Sequence, residues 1–116
     1  MVTHKDLDVW KMGLDLVERL YKVTSKFPKE EQFGLIAQMR RATVSIPSNI
    51  AEGAARNSKK EFLQYLYIGL GSLSEVETQL LIASRLGYPE DKEIMELVEH
   101  LRRKLLNFIK HIRGKA

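Results

Sequence analysis

Apolar residues recur along this chain at steps of three and four in four separate stretches. They nowhere alternate at the step of two that a half-buried strand needs. The first stretch runs from Asp6 to Ser25. In it Trp10, Leu14, Val17, Tyr21 and Thr24 form one stripe, and Val9, Leu16, Leu20 and Val23 form a second beside it. Asp6 or Asp8 is the expected cap, and Pro28 ends the helix by keeping Phe27 out of α geometry. The second stretch, Glu30 to Glu52, carries Leu35, Ile36, Met39, Thr43, Ile46 and Ile50 on its inner face. Pro47 lies inside it. A proline there removes one helical hydrogen bond and crowds the carbonyl four residues back, so a kink between Thr43 and Pro47 is predicted. Gly53 is the expected left-handed terminator.

The third stretch opens at Ser58, which with Glu61 reads as a capping box. It continues to Leu86, where Gly87 and Pro89 close it. Its seam is Phe62, Leu66, Gly69, Leu73, Val76, Leu80 and Ala83. The fourth runs from Glu90 to Arg113 with Ile94, Val98, Leu101, Leu105, Phe108 and Ile112 inward. Acids crowd its start and bases its end, both matched to the helix dipole. Four helices with short connections predict an all-α, antiparallel up-and-down four-helix bundle, its second helix kinked at a proline, in a single domain over residues 1–116.

The apolar surface exceeds what such a bundle needs, roughly three positions in seven on each helix. The surplus comprises Tyr65, Ile68 and Ile82 on helix three and Val9 or Leu16 on helix one. It predicts an interface between subunits, because large apolar patches are uncommon on monomers, the alternative being a thicker core with some apolar surface left exposed. Gly69 and Gly71 together cost ~2 kcal/mol of helix propensity, and they let another helix come close, either internal or from a neighbour. The chain has no Cys, which excludes disulfides and thiolate chemistry. The apolar run from Leu63 to Leu73 is too short and too interrupted for the ~20 residues a membrane span requires. The N-terminal MVTHKDLDVWKMG is too polar for a signal peptide. A soluble, cytoplasmic protein with no membrane partner is expected.

Several runs resemble one family over nearly the whole chain. They are Asp8-Val9-Trp10-Lys11, Phe27-Pro28-Lys29-Glu30-Glu31, Gln38-Met39-Arg40-Arg41, Ser58-Lys59-Lys60-Glu61-Phe62 and Gly71-Ser72-Leu73-Ser74-Glu75-Val76-Glu77-Thr78. The most specific is Ser45-Ile46-Pro47-Ser48-Asn49-Ile50-Ala51-Glu52-Gly53. The chain is similar to the bacterial four-helix bundle proteins associated with intervening sequences in 23S ribosomal RNA genes. A related group is the accessory variability proteins of diversity-generating retroelements. The resemblance implies a four-helix bundle and a homopentamer.

No residue pattern points to catalysis. His4, His100 and His111 lack the Glu-x-x-His pairing of di-iron bundles, so neither metal nor cofactor is expected. Glu75 and Glu77 face different ways, no nucleophile accompanies them, and no Gly-rich phosphate loop is present. The chain is read as non-enzymatic. A polar stripe of Arg41, Ser45, Ser48 and Glu52, with Asn49 beside it, marks helix two. It serves either to satisfy backbone groups freed by Pro47 or as a contact surface. The formal charge is +4. Bases cluster at Arg40-Arg41, at Arg56, Lys59 and Lys60, and from Arg102 to Lys115. Alternating helix directions bring the last two clusters to one end of the bundle. Arg56, Lys59, Lys60, Arg102, Arg103 and Lys110 are therefore the candidate nucleic-acid-binding residues. The expected function is an oligomeric protein binding RNA or other nucleic acid through phosphates, since no base-reading module is present. The alternative is a protein-interaction scaffold with an acidic protein partner.

Overall fold

The computed structural model describes residues 3–114. After a 3-10 turn at His4–Asp6, the chain forms α1 (Asp8–Thr24), a second 3-10 turn (Lys29–Glu31), α2 (Leu35–Ala54), α3 (Lys59–Arg85) and α4 (Lys92–Arg113). Each helix packs against its two neighbours, closing an up-and-down four-helix bundle of 49 × 23 × 19 Å. None of the described helices is long and apolar enough to cross a membrane.

The core runs the length of the rod. Its fully buried side chains are Leu16 and Leu20 from α1, Met39, Ile46 and Ile50 from α2, Leu66, Leu73 and Val76 from α3, and Ile94, Val98, Leu101 and Leu105 from α4. The α3 seam matches the sequence reading closely. In α4, Ile109 is buried where Phe108 was expected, and Phe108 is half-exposed.

On α1 the two stripes exchange roles. Val9, Leu16, Leu20 and Val23 form the core face, while Leu14 and Tyr21 of the first stripe are exposed. Gly13 shows why. A Cβ there would lie 3.2 Å from the Pro47 Cβ, so the glycine face of α1 lies tight against the proline of α2. Neither Asp6 nor Asp8 caps α1. Its N-cap is Leu7, with no side-chain bond, and Asp6 closes a capping box with Thr3 on the preceding 3-10 turn.

α2 runs as α-helix through Pro47, and the Asn49 Nδ2 donates to the Ser45 carbonyl at 2.7 Å beside it. Gly53 is not a terminator. It lies inside α2, and the only positive-φ glycine among the described residues is Gly87. Gly53 instead permits contact: a Cβ there would stand 2.7 Å from the Tyr65 Cβ and 3.0 Å from the Phe62 Cδ1. Gly69 also faces α2, where an added Cβ would lie 3.7 Å from the Ile46 carbonyl oxygen, whereas a Cβ on Gly71 would meet nothing within 4 Å. One glycine of the pair thus serves internal packing and the other lies on the outer surface. Gly87, at φ 80, ends α3 with Tyr88 N–H bonded to Ala83 O and Gly87 N–H to Ser84 O, a Schellman closure.

Polar links tie the end of the bundle where α1 stops and α4 starts. Arg19 of α1 reaches Asp91 at 3.1 Å and Glu93 at 2.9 Å, and Asp91 also caps α4. Arg40 of α2 donates to Thr24 Oγ1 and the Tyr21 carbonyl at 3.0 and 3.2 Å and lies over the Tyr21 ring. Glu31 accepts from the Leu35 N–H at 3.2 Å and from the Tyr88 hydroxyl at 2.7 Å.

The surplus apolar surface on α3 is where it was expected for two of three residues: Ile68 and Ile82 are exposed, joined by Leu81 and Leu86, while Tyr65 is half-buried. On α1 the expectation fails, because Val9 and Leu16 are core. The exposed apolar residues of the α1–α2 flank are Leu14, Tyr21 and Val44. Phe33, before α2, is 90% exposed.

Candidate nucleic-acid interface

The α2–α3 turn and the last turns of α4 meet at one end of the rod. Ser58 starts α3 by accepting from the Glu61 N–H at 3.1 Å, which places Lys59 and Lys60 in the exposed first turn. Arg56 folds back from the turn. Its Nη2 donates to the Tyr65 hydroxyl at 2.6 Å, and its guanidinium lies 5.0 Å from the ring centroid. α4 returns antiparallel, so the Phe62 and Phe108 rings meet edge to face at 5.8 Å. One turn further, Arg113 donates to the Tyr67 hydroxyl at 3.4 Å. Lys110 and Arg113 are exposed. This end therefore collects Arg56, Lys59, Lys60, Lys110 and Arg113, with the exposed carboxylates Glu52 and Glu61 nearby.

Arg102 does not join them. It bonds to Glu77, to Ser74 Oγ at 3.2 Å and to Glu99 at 3.5 Å. Opposite Ser74 and Glu77, it lies roughly 20–25 Å along α3 from Lys60 at the helical rise of ~1.5 Å per residue. Its charge is already matched, and it serves as a strut between α3 and α4. Arg103, its neighbour, is exposed but shares that displacement. Arg40, part of the first basic group, is likewise committed inside the bundle, where it holds the carboxyl end of α1.

The polar stripe on α2 divides in two. Ser45 donates to the Ala42 carbonyl at 2.8 Å and bonds to Ser72 of α3, and Asn49 bonds within the helix, so both residues shape the bundle. Arg41, Ser48 and Glu52 are exposed. With Gln38, Ser45 and Glu75, Arg41 lines a shallow groove between α2 and α3. The histidines are dispersed: His4 stands edge-on to Trp10 at 5.0 Å, and His100 and His111 are exposed. Among the described residues, no three His, Asp or Glu side chains are placed to hold a metal ion.

Sequence reasoning missed Tyr65, Tyr67 and Arg113 as partners at the basic end. The tyrosines read as further apolar positions on a helix that is apolar nearly all round, and nothing local ties them to an arginine.

Fold and surface together define a small antiparallel helical bundle with a cationic end and two exposed apolar flanks. The family model described as 23S rRNA-intervening sequence protein matches residues 5–107, and the chain belongs to that family. A solved structure from Bacteroides thetaiotaomicron VPI-5482, described as a protein of unknown function from the S23 ribosomal protein family, shares the fold. It has a TM-score of 0.78 and 24% identity, covering 88% of this chain and 95% of that one. No curated protein matches the chain.

Proposed function

We propose that the chain is a subunit of a homo-oligomer, a ring of five, that binds RNA through phosphate contacts and has no catalytic role. The observation that carries this reading is the gathering of Arg56, Lys59, Lys60, Lys110 and Arg113 at one end of the rod, where oligomer symmetry would multiply their field. Arg102 drops out of the proposed surface because its charge is matched internally, and Arg103 is peripheral. The family's link to 23S rRNA intervening sequences favours RNA as the ligand. Assembly is supported by apolar flanks of unlike composition. Leu14, Tyr21 and Val44 mark the α1–α2 flank, and Ile68 and Ile82 of α3 with Leu86, the residue that caps it, mark the other. Unlike patches suit head-to-tail contacts that close a ring.

Binding is tested by fluorescence anisotropy with several unrelated RNAs across a salt series. Affinity should fall with a log–log slope of about −0.7 for each phosphate contacted on single strands, with little dependence on sequence. Lys59→Glu with Lys60→Glu should weaken every RNA alike while the bundle stays folded. Undetectable binding at low salt, together with a nuclease-resistant pull-down of one acidic protein, would replace this reading with a protein scaffold. Sedimentation equilibrium at micromolar concentration tests assembly, and a clean monomer would sink it.

A further inference from the structure

We infer that the cationic end is built for single-stranded rather than duplex nucleic acid, the Arg56–Tyr65 pair and the exposed Tyr67 ring acting as stacking platforms beside the phosphate-binding lysines. This rests on the nucleic-acid reading above and narrows it.

Tyr65 and Tyr67 are two residues apart on α3, so they lie on opposite flanks of the helix. Each is met by an arginine from a different element, Arg56 from the α2–α3 turn and Arg113 from the last turn of α4. Between the two flanks lie Lys60 and Gln64, one helical turn apart and both exposed, ahead of the apolar flank that begins at Ile68. Charge, amide and aromatic ring thus adjoin at this end. Tyr67 itself is 46% exposed.

That mixture suits a strand whose bases are unpaired. The Arg56 guanidinium lying over the Tyr65 ring keeps its second face outward, where a base can stack, while its N–H groups still reach a phosphate, and the exposed Tyr67 ring offers a face of its own. Aromatic rings add to affinity only when the bases are available, because a duplex hides its base faces in its own stack. On charge alone the preference would run the other way, since a duplex presents the denser array of phosphates. Glu52 and Glu61 border the site and disfavour a second phosphate chain. A surface that used only phosphate contacts would need neither tyrosine.

The experiment compares a short unstructured RNA with the duplex made from it, by anisotropy at fixed low salt. Tyr67→Leu is the informative variant because Tyr67 is exposed, whereas the stem of Tyr65 packs on Gly53. Wild-type protein should bind the single strand more tightly than the duplex. Tyr67→Leu should lose roughly tenfold on the single strand, the loss of about one stacked base, and change little on the duplex. Tyr67→Phe should restore single-strand affinity, and circular dichroism should show all three proteins equally helical. Equal or tighter duplex binding, or a single-strand affinity that Tyr67→Leu leaves unmoved, overturns the inference while phosphate binding stands. Absence of binding to either RNA overturns both.

Discussion

Replacing Gly53 by Ala should destabilise the protein, against the expectation from helix propensity. In an open helix the change stabilises by about 1 kcal/mol, because alanine loses less backbone freedom. Here the new methyl would sit 2.7 Å from the Tyr65 Cβ, 3.0 Å from the Phe62 Cδ1 and 3.3 Å from the Phe62 carbonyl oxygen. Ordinary carbon contacts are about 3.5–4.0 Å, so something must move by roughly 1 Å. The closest atom is a side-chain stem, which moves only if α3 moves. The two helices must therefore part along the most extensive interface of the bundle. Overpacking of this kind costs about 1–3 kcal/mol. Set against the propensity gain, a net loss of about 1 kcal/mol is expected, or a fall of roughly 4–8 °C in Tm for a domain near this size. Gly71→Ala is the control. It makes the same chemical change in the same kind of helix with open space at the methyl within the subunit, and under dilute conditions where the subunits are apart it should gain about 1 kcal/mol. Thermal and urea melts followed by circular dichroism at one protein concentration measure both, the concentration being held because assembly shifts apparent stability. A Gly53→Ala protein melting at or above wild type would refute the close-approach argument.

Arg102→Ala should cost about 1 kcal/mol or less in a urea melt, since the ion pairs it breaks are partly solvated, and should leave RNA affinity unchanged. A steep loss of binding in that variant would return Arg102 to the interface. The Tyr88 hydroxyl donates to Glu31, and that bond, with partial desolvation and the carboxylate charge, holds its pKa above the ordinary 10.0. The folded value exceeds the unfolded one, so the stabilisation is present below about pH 10 and is lost as pH rises through the folded value. Glu31→Gln should bring the Tyr88 transition down toward the ordinary phenol value in a spectrophotometric titration, and an unchanged titration curve would show that the pair does not form in solution.

The α3 seam and most of the α4 seam were legible because their apolar positions keep strict helical steps and the outward face of α4 is charged. α1 was not, since both of its stripes are apolar and periodicity alone does not choose between neighbouring faces. Tight packing of Gly13 on Pro47 makes that choice, and it involves residues distant in sequence. Gly53 misled for a related reason. Near the end of a helix, a glycine needed for left-handed geometry and one needed for close packing look alike. At the basic end, alternating helix direction was enough to bring Arg56, Lys59 and Lys60 near Lys110. The sequestering of Arg102 depends on the register between α3 and α4, which places Ser74 and Glu77 within its reach, and composition carries no trace of that register.

The polar cross-links of the rod are distributed unequally in kind. At the end where α4 begins, arginines and a tyrosine are held by carboxylates and a backbone carbonyl. At the opposite end, Arg56 and Arg113 rest on phenol oxygens, neutral acceptors that bind a guanidinium less strongly than an anion does. Among the described residues no ion pair holds either arginine, so each can turn its outer N–H groups toward a phosphate from its place beside the phenol, with the core beneath Phe62 and Phe108 undisturbed. The rod has a stiff foot and a compliant crown, and an irregular strand could be accommodated by small turns of two side chains while every helix stays in place.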